Sequence, residues 1–160
     1  MVLSEEQVTI AIIKQLRHVN WHIVSFDFPQ SGTGRALIAK GNGPASSRRR
    51  VVPDVIAVRN EICLILENKH AFDINDVRKL EEIRDSGRYN RSLESILRPY
   101  RITNFIFGIG LPIADGSASK ELIVPALDVL LAVDESLGVR VLSARNNTLR
   151  DHLLGRTEGL

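Results

Sequence analysis

The chain has 160 residues, 44% of them hydrophobic and 25% charged, with 21 Lys+Arg against 19 Asp+Glu for a formal charge of +2. These proportions are near globular averages and the length suits one domain with a sizeable core, which excludes a fully disordered chain. Apolar runs stay far short of the ~20 residues a membrane helix needs, and the single cysteine, Cys63, excludes an internal disulfide and a multi-cysteine zinc site. The N-terminus opens on Ser4, Glu5 and Glu6 without a basic stretch leading into an apolar one, so no signal peptide is expected and a cytoplasmic location is.

Ser4 followed by Gln7 has the pattern of a capping box, and Val8, Ile12, Leu16 and Val19 recur at helical spacing, predicting a first helix over Glu5 to Val19. Trp21 to Phe28 is rich in β-branched and aromatic residues and reads as a strand. From Pro29 to Arg50 four glycines and two prolines mark a long irregular stretch, broken by a short strand at Ala36 to Ala39. Val51 to Val58 and Glu61 to Lys69 read as two strands of an antiparallel hairpin turning at Arg59-Asn60. Asp73 is placed to cap a second helix with the stripe Ile74, Val77, Leu80 and Ile83, and Gly87 to stop it. Leu93, Ile96 and Leu97 predict a further helical turn, and Ile102 to Ile109 is a strand apolar on both faces, hence central. Beyond it, Glu121 to Val133 reads either as a helix starting near Pro125 or as a strand at Val129 to Val133 pairing with Val139 to Leu142. From Ala144 onward the chain is polar and expected to be loose. The alternation of helices and strands predicts a layered α/β domain with a mixed sheet.

The small net charge hides an uneven distribution. Between Phe28 and Asn60 stand six basic residues (Arg35, Lys40, Arg48, Arg49, Arg50, Arg59) and one acid, Asp54, whereas Ile102 to Gly138 carries one base and five acids. Sixteen of the 21 basic residues are Arg, whose planar fork suits phosphate.

The sequence Pro53-Asp54, twelve residues, then Glu67-Asn68-Lys69 carries the chemistry. Strand alternation puts Glu67 and Lys69 on one face and Asn68 on the other. A turn at Arg59-Asn60 sets Asp54 across from Ile65 and makes it a diagonal neighbour of Glu67 on the same face. Such diagonals lie roughly 7–8 Å apart, close enough for both carboxylates to share one hard cation.

This segment resembles the PD-(D/E)xK nuclease superfamily, which includes restriction endonucleases and archaeal Holliday-junction resolvases. Pro53, Asp54, Glu67 and Lys69 match its motif, and Asn68 stands at the variable place. The resemblance implies a restriction-endonuclease-like αβββαβ core over about residues 4–110, with a mixed central sheet flanked by helices, a sheet or helix extension over 111–143 and a polar tail over 144–160. It implies a Mg²⁺-dependent endonuclease acting on DNA, with Mn²⁺ as a substitute. The alternatives are a branched-DNA resolvase and a non-catalytic subunit of a larger complex. Asp54 and Glu67 would hold the metal with the Asn68 carbonyl, and Lys69 would position or deprotonate the attacking water. An acid on the first helix often adds an outer metal contact in this superfamily. Glu5 and Glu6 are both candidates, although the expected position falls nearer Thr9. The loop after the first strand would touch DNA, which puts Ser31, Arg35, Arg48, Arg49 and Arg50 at the interface. Arg88 and Arg91, beyond the second helix, would join them, and Arg78, Lys79 and Arg84 on that helix are weaker candidates. Gln30 to Arg35 lacks the Gly-Lys-Ser/Thr ending of a P-loop, so no nucleotide cofactor is expected. One core of this length leaves little room for a recognition domain, so a homodimer or a partner subunit is expected.

Overall fold

The structure is a computed structural model and describes residues 2–27, 34–40, 49–114 and 125–155. Helix α1 spans Glu5–His18 and starts on the expected capping box: the Ser4 hydroxyl accepts from the Gln7 N–H, and the Gln7 side chain accepts from the Ser4 N–H. Strand β1 (His22–Phe26) follows, then two short strands, β2 (Leu37–Ile38) and β3 (Arg50–Val51). The hairpin is β4 (Val55–Arg59) with β5 (Ile62–Asn68). Next come α2 (Ile74–Asp85), α3 (Asn90–Leu97), β6 (Asn104–Pro112), β7 (Val129–Val133), β8 (Val139–Ala144) and α4 (Asn147–Leu154). Among the described residues no helix is long and apolar enough to cross a membrane.

Six strands form one sheet in the order β1-β4-β5-β6-β7-β8, while β2 and β3 pair separately. The sheet is mixed, as expected: β5, β6 and β7 run parallel, and β1, β4 and β8 join antiparallel to their neighbours. Alternation divides its side chains between two cores. Leu64 and Leu66 pack with Val8, Ile12 and Leu16 of α1 and with Leu149 and Leu153 of α4. Cys63 and Ile65 pack on the other side with Val77, Leu80 and Ile83 of α2, Leu93 of α3, and Leu37 and Val51 of the small sheet. The layers are therefore helix, sheet, helix, with the β2–β3 ribbon lying on the α2–α3 side.

Three expectations need correction. The strand expected over Val51 to Val58 is broken. Pro53 has no N–H to give a ladder, and the chain bends at Asp54 between β3 and β4. The hairpin turns at Asn60-Glu61 rather than Arg59-Asn60, closed by the pair Arg59 and Ile62, with Asn60 at φ 53. The residues after Ala144 are not a loose tail as far as Gly155. Asn146 caps α4 through the Leu149 N–H, and Gly155 ends it at φ 72. Helix α4 is tied to distant chain by its last carbonyls. The Gln15 amide donates to the Leu153 carbonyl (3.0 Å), and Trp21 Nε1 (3.1 Å) and Arg59 Nη1 (3.0 Å) both donate to that of His152. Of the two readings of Glu121 to Val133, the strand over Val129–Val133 is the one formed, paired with β8.

Candidate active site

The carboxyl ends of β5 and β6, the amino end of β4 and the first turns of α1 and α2 meet at one end of the sheet, where open α/β sheets present ligand sites. The hairpin register Val55–Leu66, extended by one pair, sets Asp54 directly opposite Glu67 rather than diagonal to it. A shift of two residues keeps parity, so both carboxylates remain on the α2 side. Asp54 Oδ2 accepts the Asn68 N–H at 2.7 Å, which pins the acid to the end of β5.

The side chain of Asn68 points the other way and is fully buried. Its amide donates to Thr9 Oγ1 of α1 at 3.0 Å, and its carbonyl oxygen lies against Gly110 of β6. A Cβ at Gly110 would collide with Asn68 Oδ1 and Ile12 Cδ1, so the absence of a side chain there lets α1 lie close over β5. Lys69 leaves the strand with its N–H on the Gly110 carbonyl (2.9 Å), and its ammonium lies 4.0 Å from a Glu5 carboxylate oxygen. His70 Nδ1 is 3.2 Å from the other Glu5 oxygen. Of the two acids on the first helix, Glu5 therefore reaches the site, while Glu6 is exposed on α1.

Glu67 is only 1% exposed, and its partner is Lys79 of α2, whose Nζ lies 2.9 Å from Oε1. Burial pushes the Glu67 carboxyl up to about 7, and the charge of Asp54 adds to this while Lys79 and Lys69 oppose it. Asp54 is also raised, chiefly by burial, against the Asn68 N–H and the two lysines. Burial pulls Lys69 down, but Glu5, Asp76, Asp54 and Glu67 together outweigh it and hold its ammonium above the ordinary value. Asp76, one turn before Lys79 on α2, is raised mainly by burial. The arrangement is thus a buried carboxylate, Glu67, facing a half-buried one, Asp54, edged by two lysines. Among the described residues no three His, Cys, Asp or Glu side chains are grouped to hold a metal ion. The donor set is the facing pair, to which waters and phosphate oxygens can add.

The arginines scatter more widely. Ser31 and Arg48 lie outside the described residues. Arg35, Arg50, Arg88 and Arg91 are exposed. Arg49 pairs with Glu82 of α2 at 2.7 Å, one helical turn beyond Lys79 on the same face. Arg84 donates to the Ala126 carbonyl and to Asp85, so it is engaged within the chain. Cys63 is buried in the α2-side core, its thiol pushed up to about 12 by burial, and Trp21 is buried beside α4. Sequence reasoning placed Lys79 with the phosphate-facing residues and did not foresee its contact with Glu67. Helical spacing from Val77, Leu80 and Ile83 gives its position on α2, but nothing in the sequence tells which strand residue it meets. Set against protein-family models, curated proteins and solved structures, the chain matches none.

Proposed function

We propose that this chain is a Mg²⁺-dependent DNA endonuclease of the PD-(D/E)xK kind. The observation that carries the reading is the pairing of Asp54 with Glu67 at the end of a buried hairpin, with Lys69 following. Two adjacent carboxylates, Glu67 buried and Asp54 half-buried, repel each other and lose hydration that the Lys79 contact only partly replaces. A divalent cation held by them would lower that cost, and Mg²⁺ takes a few carboxylate oxygens while keeping sites for water and phosphate. Asp54 and Glu67 would hold it, with Glu5 near enough to Lys69 to orient the outer side of the site. When bound, the ion would supply charge neutralisation and a more acidic water. The chain's own part is to fix these groups. The Asn68 N–H orients Asp54, the Thr9–Asn68 bond fixes the end of β5, and the Lys69 ammonium, kept charged by four acids, is placed to hold an anionic phosphate or a water.

The element order supports the same reading. From Glu5 to Pro112 run a helix, a strand, the separate β2–β3 ribbon, a hairpin bearing the acids, two helices and a strand parallel to β5. Exposed Arg35, Arg50, Arg88 and Arg91 would take backbone phosphates, which position DNA without reading its sequence. Each chain carries one such centre, so cutting both strands of a duplex calls for two copies or a partner subunit. The test is incubation of supercoiled plasmid and of a four-way junction with Mg²⁺ or Mn²⁺. Cleavage by wild type, with Asp54→Ala and Lys69→Ala slower by at least about a hundredfold, is expected. No cleavage of either substrate, or equal cleavage by the variants, overturns the proposal.

A further inference from the structure

The charge balance at Glu67 depends on a residue outside the motif. Lys69 turns toward Glu5 on α1, leaving Glu67 to Lys79, which reaches down from α2 to 2.9 Å. Lys79 is 28% exposed at its side chain whereas Glu67 is 1% exposed, so the ammonium stands between the buried carboxylate and solvent. Its four-carbon stem is flexible and its charge is a single compact point, so it can withdraw without disturbing α2. Asp54 feels the same charge. The carboxylate pair therefore already has a monovalent counter-ion, supplied by the neighbouring helix.

We infer that Lys79 is a displaceable counter-ion that occupies Glu67 in the metal-free protein and that an incoming divalent cation must displace it. This inference rests on reading Asp54 and Glu67 as metal ligands. Two consequences follow from simple electrostatics. Lys79 weakens metal binding, because the metal must break an ion pair and then tolerate a positive neighbour. Once displaced, its ammonium loses the Glu67 carboxylate and sits at the rim of the site, where a phosphate of the substrate can take it. Metal and phosphodiester then favour each other's binding, since each gains from the charge the other releases.

The experiment is titration of the full chain with Mn²⁺, following free Mn²⁺ by electron paramagnetic resonance at about pH 8, where the Glu67 proton competes little. Wild type, Lys79→Met, Lys79→Arg and Asp54→Asn are compared, with circular dichroism as the check on folding. Lys79→Met is expected to bind Mn²⁺ about tenfold more tightly, the order expected for removing a unit charge beside a partly screened site. Lys79→Arg is expected to stay near wild type, and Asp54→Asn to lose the site. A short DNA duplex bearing a non-hydrolysable phosphorothioate is expected to tighten Mn²⁺ binding to wild type and to do so less in Lys79→Met. If wild type binds Mn²⁺ through Asp54 but Lys79→Met binds equally or more weakly, the counter-ion inference falls and the metal centre stands. If wild type shows no Asp54-dependent Mn²⁺ binding, the metal centre falls and the inference with it. Should Lys79→Met not fold, Lys79→Gln, which keeps the stem and a hydrogen-bond donor, takes its place in the same comparison.

Discussion

Replacing Glu67 by Gln is expected to stabilise the metal-free protein at alkaline pH and to leave it nearly unchanged at acid pH. The carboxyl of Glu67 is moved from an ordinary 4.5 to about 7, first by burial and then by Asp54. Its folded form therefore binds the proton more tightly than its unfolded form does. Below about pH 4.5 the side chain is protonated in both states and contributes no penalty. Between about pH 4.5 and 7 the unfolded state gives up the proton while the folded state keeps it, so stability falls, levelling off above 7. Moving the equilibrium from 4.5 to about 7 corresponds to about 3 kcal/mol, already net of the attraction of Lys79. Glutamine has the same shape and no charge, so the variant lacks this decline. Near pH 8.5, Glu67→Gln should exceed wild type by about 3 kcal/mol, or roughly 6–12 °C in midpoint for a domain of this size. Unfolding in urea with EDTA present, followed by the fluorescence of the single, buried Trp21, measures this directly. Wild-type and Glu67→Gln stabilities that run parallel between about pH 5 and 8.5 would refute the claim that a buried carboxyl with a raised proton affinity sits at this position.

Two further outcomes test the scaffold around the site. Leu153→Ala removes a side chain that is 2% exposed between α4 and α1, and should lower stability by about 2–4 kcal/mol in a urea titration; a loss below about 1 kcal/mol would mean that α4 contributes little to the core. Gly110→Ala places a methyl group against Asn68 Oδ1 and Ile12 Cδ1, and should cost about 1–3 kcal/mol. The proposed DNA cleavage should slow beyond what thermal melting accounts for, because the displaced Asn68 carries the N–H that holds Asp54; a fully stable variant would contradict the close approach of α1 to β5.

Much of the site could be read from local pattern because the pattern rests on local physics. The Ser4–Gln7 cap, the apolar stripe of α1 and the alternation along β5 each depend on neighbours within a few residues. The face shared by Asp54 and Glu67 follows from parity alone, which is why it survives the error in register. The register itself was not legible. Arg59-Asn60 and Asn60-Glu61 are both acceptable two-residue turns, and only the closed sheet with Asn60 in the left-handed region decides between them. Pro53 signalled an interruption, but the long run of β-branched residues on both sides obscured it. Helix α4 was masked by its polar composition, although Asn146 and Gly155 mark its two ends and Leu149 and Leu153 its buried face. Lys79 meeting Glu67, Asn68 meeting Thr9 and Arg49 meeting Glu82 join elements far apart in the chain, and no spacing rule reaches that far.

The carbonyls at the end of α4 have a consequence for how the chain is made. Gln15 and Trp21 find their partners on Leu153 and His152, 138 and 131 residues later. A ribosome needs several seconds to roughly half a minute to synthesise that interval. Throughout it, the apolar stripe of α1 and the indole of Trp21 are without the helix that covers them, whereas the β4–β5 hairpin has both strands within one short stretch. The nascent protein therefore holds its would-be catalytic hairpin early and its shelter late, and closure over so long a separation is the slow kind. Changes that weaken α4 should accordingly appear in the cell as poor yield and aggregation before they appear as a defect in the purified protein.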